Sequence, residues 1–474
     1  MKIYNTLTGA KEDFIPLEKE RIRMYVCGPT VYDYCHIGHA RSIITFDIIR
    51  RYFEYKGFDV LYIQNFTDID DKMINRAKQE GITIFELANR FIKQYFKDFD
   101  PLNVKRASFY PRATDHIADM IKIIERLLES GFAYELDGNV YFSIGAFKKY
   151  GMLSHKDLDE IPPTEEEKSV QKNNPKDFVL WKKRKEDEPC WDSPWGLGRP
   201  GWHIECSAMS MKYLGETLDI HGGGLDLVFP HHENEIAQSE ALTNKPFVRY
   251  FVHNGFVTVG SGEKMSKSLG NFFTIEDILK KYPPMVLRFF LLSTHYRSPV
   301  NFSEDQIVQA KLTFSKIQLA LAYARQREVS SAPSDKLSDE LDEIIQTTKK
   351  DFLEAMDDDF STPKAVACIN VLARYLNRLA SLKEGIRSET LTKAHDTLLE
   401  LCYILGLVEC PELSSEEILI SKLMDLIMQM RNEARKSKQY AISDKIRDQL
   451  KELGISFIDY PNWTMYTLPL HKEL

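Results

Sequence analysis

The sequence contains no CxxC pair, although it has seven cysteines: Cys27, Cys35, Cys190, Cys206, Cys368, Cys402 and Cys410. Their odd number and wide spacing argue against a disulfide framework. One or two could hold a metal, and the others suit small core positions. No run approaches the roughly 18 apolar residues of a membrane span, and the opening MKIYNTLTGAKEDF lacks the apolar core of a secretion signal. These absences point to the cytoplasm, with no membrane partner. Positive charge is not in excess: 62 Lys and Arg against 70 Asp and Glu give a net charge of −8. That total argues weakly against a nucleic-acid partner but does not exclude one, because a polyanion meets local patches and not the sum. No internal repeat is visible.

What is present suits a folded chain of several domains. The 474 residues are 43% hydrophobic and 28% charged, a globular composition, and the length predicts roughly two to four domains. In RIRMYVC (21–27), Ile22, Met24 and Val26 alternate with Arg21, Arg23 and Tyr25, a strand period. A Gly-Pro turn follows, and from about His36 the pattern becomes helical, with Ile37, Ile44 and Ile48 on one face. VLYIQNF (60–66) reads as a second strand after Gly57. Strand, loop, helix and strand in this order predict a parallel α/β sheet, whose ligands sit beyond the C-terminal strand ends, where Cys27 and Thr67 lie. Residues 115–150 read as a helix and a hairpin (FAYELDGNVYFS), and 155–178 as a solvated loop within an insertion. The sheet pattern resumes near Trp202, with strands at TLDIHG and RYFVHNGFVTV. Beyond about 275 the chain reads as helical, with a linker at 328–340, helices over 341–408, and from about 414 a basic helical segment ending in a strand-like stretch.

Four constellations carry chemistry. His36-Ile37-Gly38-His39 opens a helix, whose N-terminus attracts phosphate; alone, the pair reads more readily as two partly exposed histidines capping a helix. Lys264-Met265-Ser266-Lys267-Ser268, flanked by glycines, describes a loop able to bring movable charges to phosphates, or a solvated basic loop. Cys27, Cys206, His231 and Glu235 form a zinc-like donor set, with His231 and Glu235 one helical turn apart and His232 a rival ligand; taken alone, they read more readily as unrelated core and surface residues. His221-Gly222-Gly223-Gly224-Leu225-Asp226 places three glycines after a strand, where backbone approaches a ligand closely and Asp226 could accept from ribose hydroxyls, or where the chain merely turns.

Read jointly, these pieces resemble one family. HIGH and KMSKS are the paired signatures of class I aminoacyl-tRNA synthetases. MYVCGPTVYDYCHIGH, NFTDIDDKM, GWHIECSAM, DIHGGGLDLVFPHHENEIAQS and KMSKSLGN look like the blocks of the cysteinyl-tRNA synthetase family, in order over nearly the whole chain. The resemblance implies a Rossmann-like parallel-sheet catalytic domain with an insertion, followed by α-helical tRNA-binding domains. The implied boundaries are 1–114 and 201–275 for the two catalytic halves, 115–200 for the connective insertion, 276–327 for a stem-contact region, 328–410 for a DALR-type bundle and 411–474 for an anticodon-binding region.

The resemblance also implies roles. His36, His39, Lys264 and Lys267 would be catalytic, with His36, His39, Gly223, Asp226 and Lys267 at ATP. Gly28, Thr67, Trp202 and His221 would surround the cysteine. Cys27, Cys206, His231 and Glu235 would hold one Zn²⁺ per chain, which would sense the substrate thiolate and make an editing domain unnecessary. Mg²⁺ would enter with ATP, and the partners would be ATP, L-cysteine and tRNA(Cys) for a monomeric enzyme. Arg431, Arg435 and Lys436 on the basic helix are expected to meet tRNA phosphates. Trp463 would stack on a base, in DYPNWT where the family usually carries a Gly-Thr-Thr-Trp-like stretch. Two relatives of the same ancestry would share much of this pattern: an enzyme joining cysteine to an amino-sugar amine, and a non-catalytic zinc-containing RNA-binding module. The long C-terminal half argues against the first, and intact HIGH and KMSKS sequences against the second.

Overall fold

Four parallel strands frame the N-terminal part of the chain: β1 (Arg21–Val26), β2 (Asp59–Gln64), β3 (Leu218–Gly224) and β4 (Val248–Asn254), in the spatial order β4-β3-β1-β2. The registers pair Met24 of β1 with Tyr62 of β2 and with Ile220 of β3, and Ile220 with Tyr250 of β4. From β1 the chain crosses to β2 on one side, while β3 joins β1 on the other. This reversal opens a crevice at the C-terminal ends of β1 and β3, where such sheets bind ligands.

The computed structural model of the chain describes residues 1–156, 172–260, 263–264, 273–325, 333–382, 385–408 and, in part, 423–467. It falls into two compact units, Met1–Gln306 with Met356–Thr362, and Ile307–Ala355 with Pro363–Leu474. No helix among the described residues is long and apolar enough to cross a membrane.

Helix α1 (Ile37–Tyr55) follows β1, and Ile37, Ile44 and Ile48 are buried as their spacing predicts. Burial extends to Arg41, Asp47 and Arg51, which one apolar stripe would leave in solvent. The reason is that α1 is covered on its second side by the helix Pro284–Leu292, whose buried Arg288 donates to Asp47. Arg51 donates to the same carboxylate at 2.8 Å. Arg41 donates to the carbonyls of Leu291, Thr294 and His295.

The insertion builds its own antiparallel sheet from Ala133–Leu136, Asn139–Phe142, Phe178–Lys183 and Gly198–Pro200. Its first hairpin turns at Asp137-Gly138, both with positive φ, as a two-residue Asp-Gly turn requires. Residues 157–171 of the expected solvated loop lie outside the described residues. Two further helices of the first unit carry site residues: α2 (Trp202–Leu214) and α3 (Glu233–Thr243). The buried Glu233 carboxylate accepts from the N–H groups of Gly151, Leu153 and Ser154 at 2.9, 3.1 and 2.8 Å, which fastens the insertion to the start of α3.

The second unit is helical, with Asp335–Asp357, Thr362–Ala380, Ser388–Ile404 and Tyr440–Glu452, and ends in an antiparallel pair, Ser456–Asp459 with Thr464–Thr467. Leu341, Phe352, Ile369, Leu376, Leu398 and Leu401 are buried in it. The linker expected at 328–340 is shorter than its polarity suggested, because helix begins at Asp335. Ser338 and Leu341 are fully buried there, so the polar residues are only one face of a packed helix.

Candidate active site and metal centre

The N-terminus of α1 is capped by the histidines themselves. His36 Nδ1 accepts from the N–H groups of Gly38 and His39 at 3.0 and 3.4 Å, and His39 Nδ1 accepts from the His36 N–H at 3.2 Å. With Nδ1 serving as acceptor in both rings, the ring proton sits on Nε2. Burial pushes His36 down to about 4, against a smaller opposing pull from Asp226, and pushes His39 well below the ordinary histidine range. At neutral pH the pair therefore offers neutral N–H donors beside a helix terminus that is itself partially positive.

The glycine run differs from expectation. Gly222–Gly224 do not follow a strand but complete β3, paired with Val252, His253 and Asn254 of β4. What glycine permits here is packing from above and below: a Cβ on Gly222 would lie 2.2 Å from Cε1 of Phe46, and one on Gly223 would lie 2.7 Å from Cδ1 of Leu227. On Gly224 it would lie 2.5 Å from Oδ1 of the exposed Asp226. At the end of β1, the Cys27 N–H donates to the Gly222 carbonyl at 3.1 Å. Gly28 passes so near Asn65 that a Cβ would meet its carbonyl oxygen at 1.7 Å.

Beneath this crevice the structure brings together Cys27 after β1, Cys206 on α2, His231 in the turn Val228–His232 before α3, and Glu235 in the first turn of α3, with one donor atom of each within 4.8 Å of the others. The two sulfurs are 3.6 Å apart, Cys27 Sγ is 3.6 Å from Glu235 Oε1, and His231 Nε2 is 3.0 Å from the same oxygen. Cys206, His231 and Glu235 are buried. A second grouping overlaps the first: Cys27, His221, His232 and Glu235 also lie within 4.8 Å of one another. His221 Nε2 is 3.1 Å from Glu235 Oε2, and His232 Nε2 is 3.4 Å from Cys27 Sγ.

The electrostatics suit a cation. A hydrogen bond from Cys27 draws the Cys206 thiol below its usual range, while burial pushes Cys27 well above it. Burial would raise Glu235, but His221 and His231 outweigh it and hold the carboxyl at about 2. Burial would lower His231, but Glu235 and Cys206 outweigh it and raise it to about 10. Two sulfurs, an imidazole and a carboxylate, mutually close and three of them buried, are donor types that zinc takes. Trp202, 40% exposed, stacks on His231 with centroids 4.2 Å apart and forms a wall beside the cluster.

The comparisons with known proteins decide the family. The model described as "tRNA synthetases class I (C) catalytic domain" matches residues 13–312, and the DALR domain matches 351–409. A cysteine–tRNA ligase from Caldicellulosiruptor saccharolyticus is 53% identical over 468 residues, 98% of this chain and 99% of that protein. The chain belongs to the cysteine–tRNA ligase family. A relative of the same name from Carboxydothermus hydrogenoformans is 51% identical, over 97% of this chain and 98% of that protein. Among solved structures, Mycobacterium tuberculosis methionyl-tRNA synthetase in complex with methionyl-adenylate superposes with a TM-score of 0.60 at 16% identity, over 82% of this chain and 90% of that one. The LeuRS of Agrobacterium radiobacter K84, in a ternary complex, gives 0.61 at 12% identity, over 85% and 87%. These two likenesses show a shared Rossmann-like synthetase fold. The chain is thus an aminoacyl-tRNA synthetase, an enzyme.

Other expected site residues of this synthetase fall as follows. Thr67 follows β2, is buried, and bridges to Thr30. Lys264 pairs through its backbone with Thr258, while its side chain and all of Lys267 lie outside the described residues, as do Lys436 and Trp463. Arg431 is only 1% exposed and offers no charge to a phosphate in this structure, and Arg435 is half-buried. Sequence reasoning missed His253, whose Nε2 is 2.8 Å from His232 Nδ1 and whose Nδ1 is 2.8 Å from Thr6 Oγ1. It also missed Asn65, which accepts from the Gly28 N–H at 2.9 Å. His253 sits in no motif; Asn65, last but one in the apolar VLYIQNF and first in the block NFTDIDDKM, was the available signal.

Proposed function

We propose that this synthetase activates L-cysteine with ATP, releasing pyrophosphate, and transfers the cysteinyl group from its adenylate to tRNA(Cys), with zinc reading the substrate sulfur. The observation that carries the reading is the convergence of Cys27, Cys206, His231 and Glu235 within 4.8 Å, beside the end of β1. A bound Zn²⁺, one per chain, would supply a soft Lewis acid that takes a thiolate far more readily than a hydroxyl. That matters because serine is nearly isosteric with cysteine, and shape differences of one small group give only about 1–3 kcal/mol.

The chemistry needs no protein nucleophile. The amino acid's carboxylate oxygen attacks the α-phosphorus, a new P–O bond forms, and the bond to pyrophosphate breaks. The protein's share is to position the reactants and to stabilise charge on the phosphates. In this reading the Nε2–H groups of His36 and His39 and the α1 N-terminus face the phosphates, Lys264 and Lys267 join them, Mg²⁺ arrives with ATP, and Gly223 and Asp226 border the nucleoside. Gly28, Thr67, Trp202 and His221 enclose the cysteine. The stem-contact region 276–327, the bundle 328–410 and the segment 411–474 serve tRNA. The enzyme works as a monomer in the cytoplasm.

The test joins metal analysis to cysteine- and serine-dependent exchange of pyrophosphate into ATP. Parent protein should carry one zinc and exchange with cysteine only. Cys206→Ser should lose both zinc and exchange; near-normal exchange by zinc-free Cys206→Ser protein rules the sensor role out.

A further inference from the structure

Glu205 on the first turn of α2 is 1% exposed, and neither carboxyl oxygen makes a well-aligned hydrogen bond. A buried carboxyl so weakly satisfied is costly, so its persistence beside a ligand crevice asks for a use. The hydroxyl that faces it belongs to Thr67, itself 2% exposed. Thr67 Oγ1 accepts from Asn65 Nδ2 at 3.4 Å, and Asn65 Oδ1 accepts from the Gly28 N–H at 2.9 Å. This chain of donors runs from Gly28 through Asn65 to Thr67 and leaves the Thr67 proton needing an acceptor, for which Glu205 is placed. The other groups whose charge reaches Glu205 are Cys206, Asp68 and Asp70, all of acidic type.

We infer that Glu205 is a positioning residue for the substrate's α-ammonium group: it accepts the Thr67 proton and so fixes the Thr67 oxygen with a lone pair presented to the ammonium. A hydroxyl has one proton and two lone pairs. With the proton given to Glu205 and one lone pair taken by Asn65, the second lone pair can serve only an incoming donor. A carboxyl keeps an acceptor oxygen whether or not it carries a proton, so the role does not depend on its ionisation. The inference rests on the proposed cysteine activation and adds to it a residue that reads the amine, not the sulfur.

The test compares L-cysteine with 3-mercaptopropionate, which has the thiol and carboxylate but no amine, in parent, Glu205→Gln and Glu205→Met proteins. Glu205→Met should raise the KM for cysteine in pyrophosphate exchange by roughly tenfold or more, the scale of a lost hydrogen bond to a charged group. Its inhibition by 3-mercaptopropionate and its zinc content should stay at parent values. Glu205→Gln, which keeps an acceptor, should restore most of the cysteine affinity. Thermal unfolding of Glu205→Met serves as the control that the variant is folded. Thr67→Val should raise the KM similarly, and adding Glu205→Met to it should change little more. Equal losses for cysteine and 3-mercaptopropionate, an unchanged KM in Glu205→Met, or additive losses in the double variant would overturn the inference. Failure of the parent protein to activate cysteine would instead overturn the underlying reading.

Discussion

The imidazole rings of His36 and His39 lie face to face, with centroids 3.8 Å apart and planes inclined by 21°. Two charged rings could not stack this closely out of water, and burial, with His36 beside His39, keeps both neutral. Neither ring should titrate between about pH 6 and 8, which histidine NMR would show. His36→Asn keeps a side-chain oxygen to cap α1 but loses the Nε2 donor. It should lower the rate constant of pyrophosphate exchange by about 10²–10³, with the KM for cysteine little changed. An unchanged rate would remove His36 from the phosphate site.

Gly222→Ala should destabilise the protein by about 1–3 kcal/mol, because the added methyl must displace the Phe46 ring in a packed interior. Phe46→Leu in the same chain should recover part of that loss, so the two effects measured by urea unfolding should not add. Simple additivity would mean that the contact does not set the cost.

Asp47 gives a pH-dependent contribution to stability whose sign follows from its partners. Burial pushes its carboxyl up, but Arg288 and Arg51 outweigh burial and hold it below the ordinary value of 3.8. A depressed carboxyl stabilises the fold above its unfolded pKa, and the stabilisation fades as pH falls through the folded value. Asp47→Asn should cost about 3–5 kcal/mol near neutral pH by stranding two buried guanidinium groups. The difference in melting temperature between parent and variant should shrink on acidification below about pH 4. A difference that grows toward acid would reverse the assignment.

Ending the chain near residue 412 should spare adenylate formation and reduce tRNA charging. The described part of the final segment tempers how much of that effect comes from the basic helix. Arg431 is buried, and Arg447 lies 3.1 Å from both Asp444 and Asp448. Unchanged charging kinetics for the truncated protein would count against tRNA contact beyond that point.

Much of the catalytic frame was legible because its patterns are local. The alternation in β1, the change of period at Ile37 and the Asp-Gly hairpin are each set by neighbours in sequence. The donor set of Cys27, Cys206, His231 and Glu235 was legible only through resemblance, since nothing in its spacing shows which distant side chains share a space. The rest was hidden for physical reasons. Polar residues such as Arg41, Asp47, Arg51 and Glu205 look like solvent-facing positions until a second layer covers them. The run Gly222–Gly224 looks like a turn until Phe46 and Leu227 are seen in the room it leaves. The Arg431 and Arg435 pair looked like an exposed stripe because helical spacing says which residues share a face, not whether that face meets water.

The donor atoms under the crevice come from positions 27, 206, 231 and 235 of 474, so the set is incomplete until about half of the chain has been made. A nascent polypeptide still short of Glu235 has both thiols of the set but no complete cage. β1 and α1 can leave the ribosome long before the ion has anywhere to settle. Under the proposed zinc reading, metal capture would wait until about half the chain is made, and zinc scarcity would leave chains whose sheet has formed but whose selectivity has not.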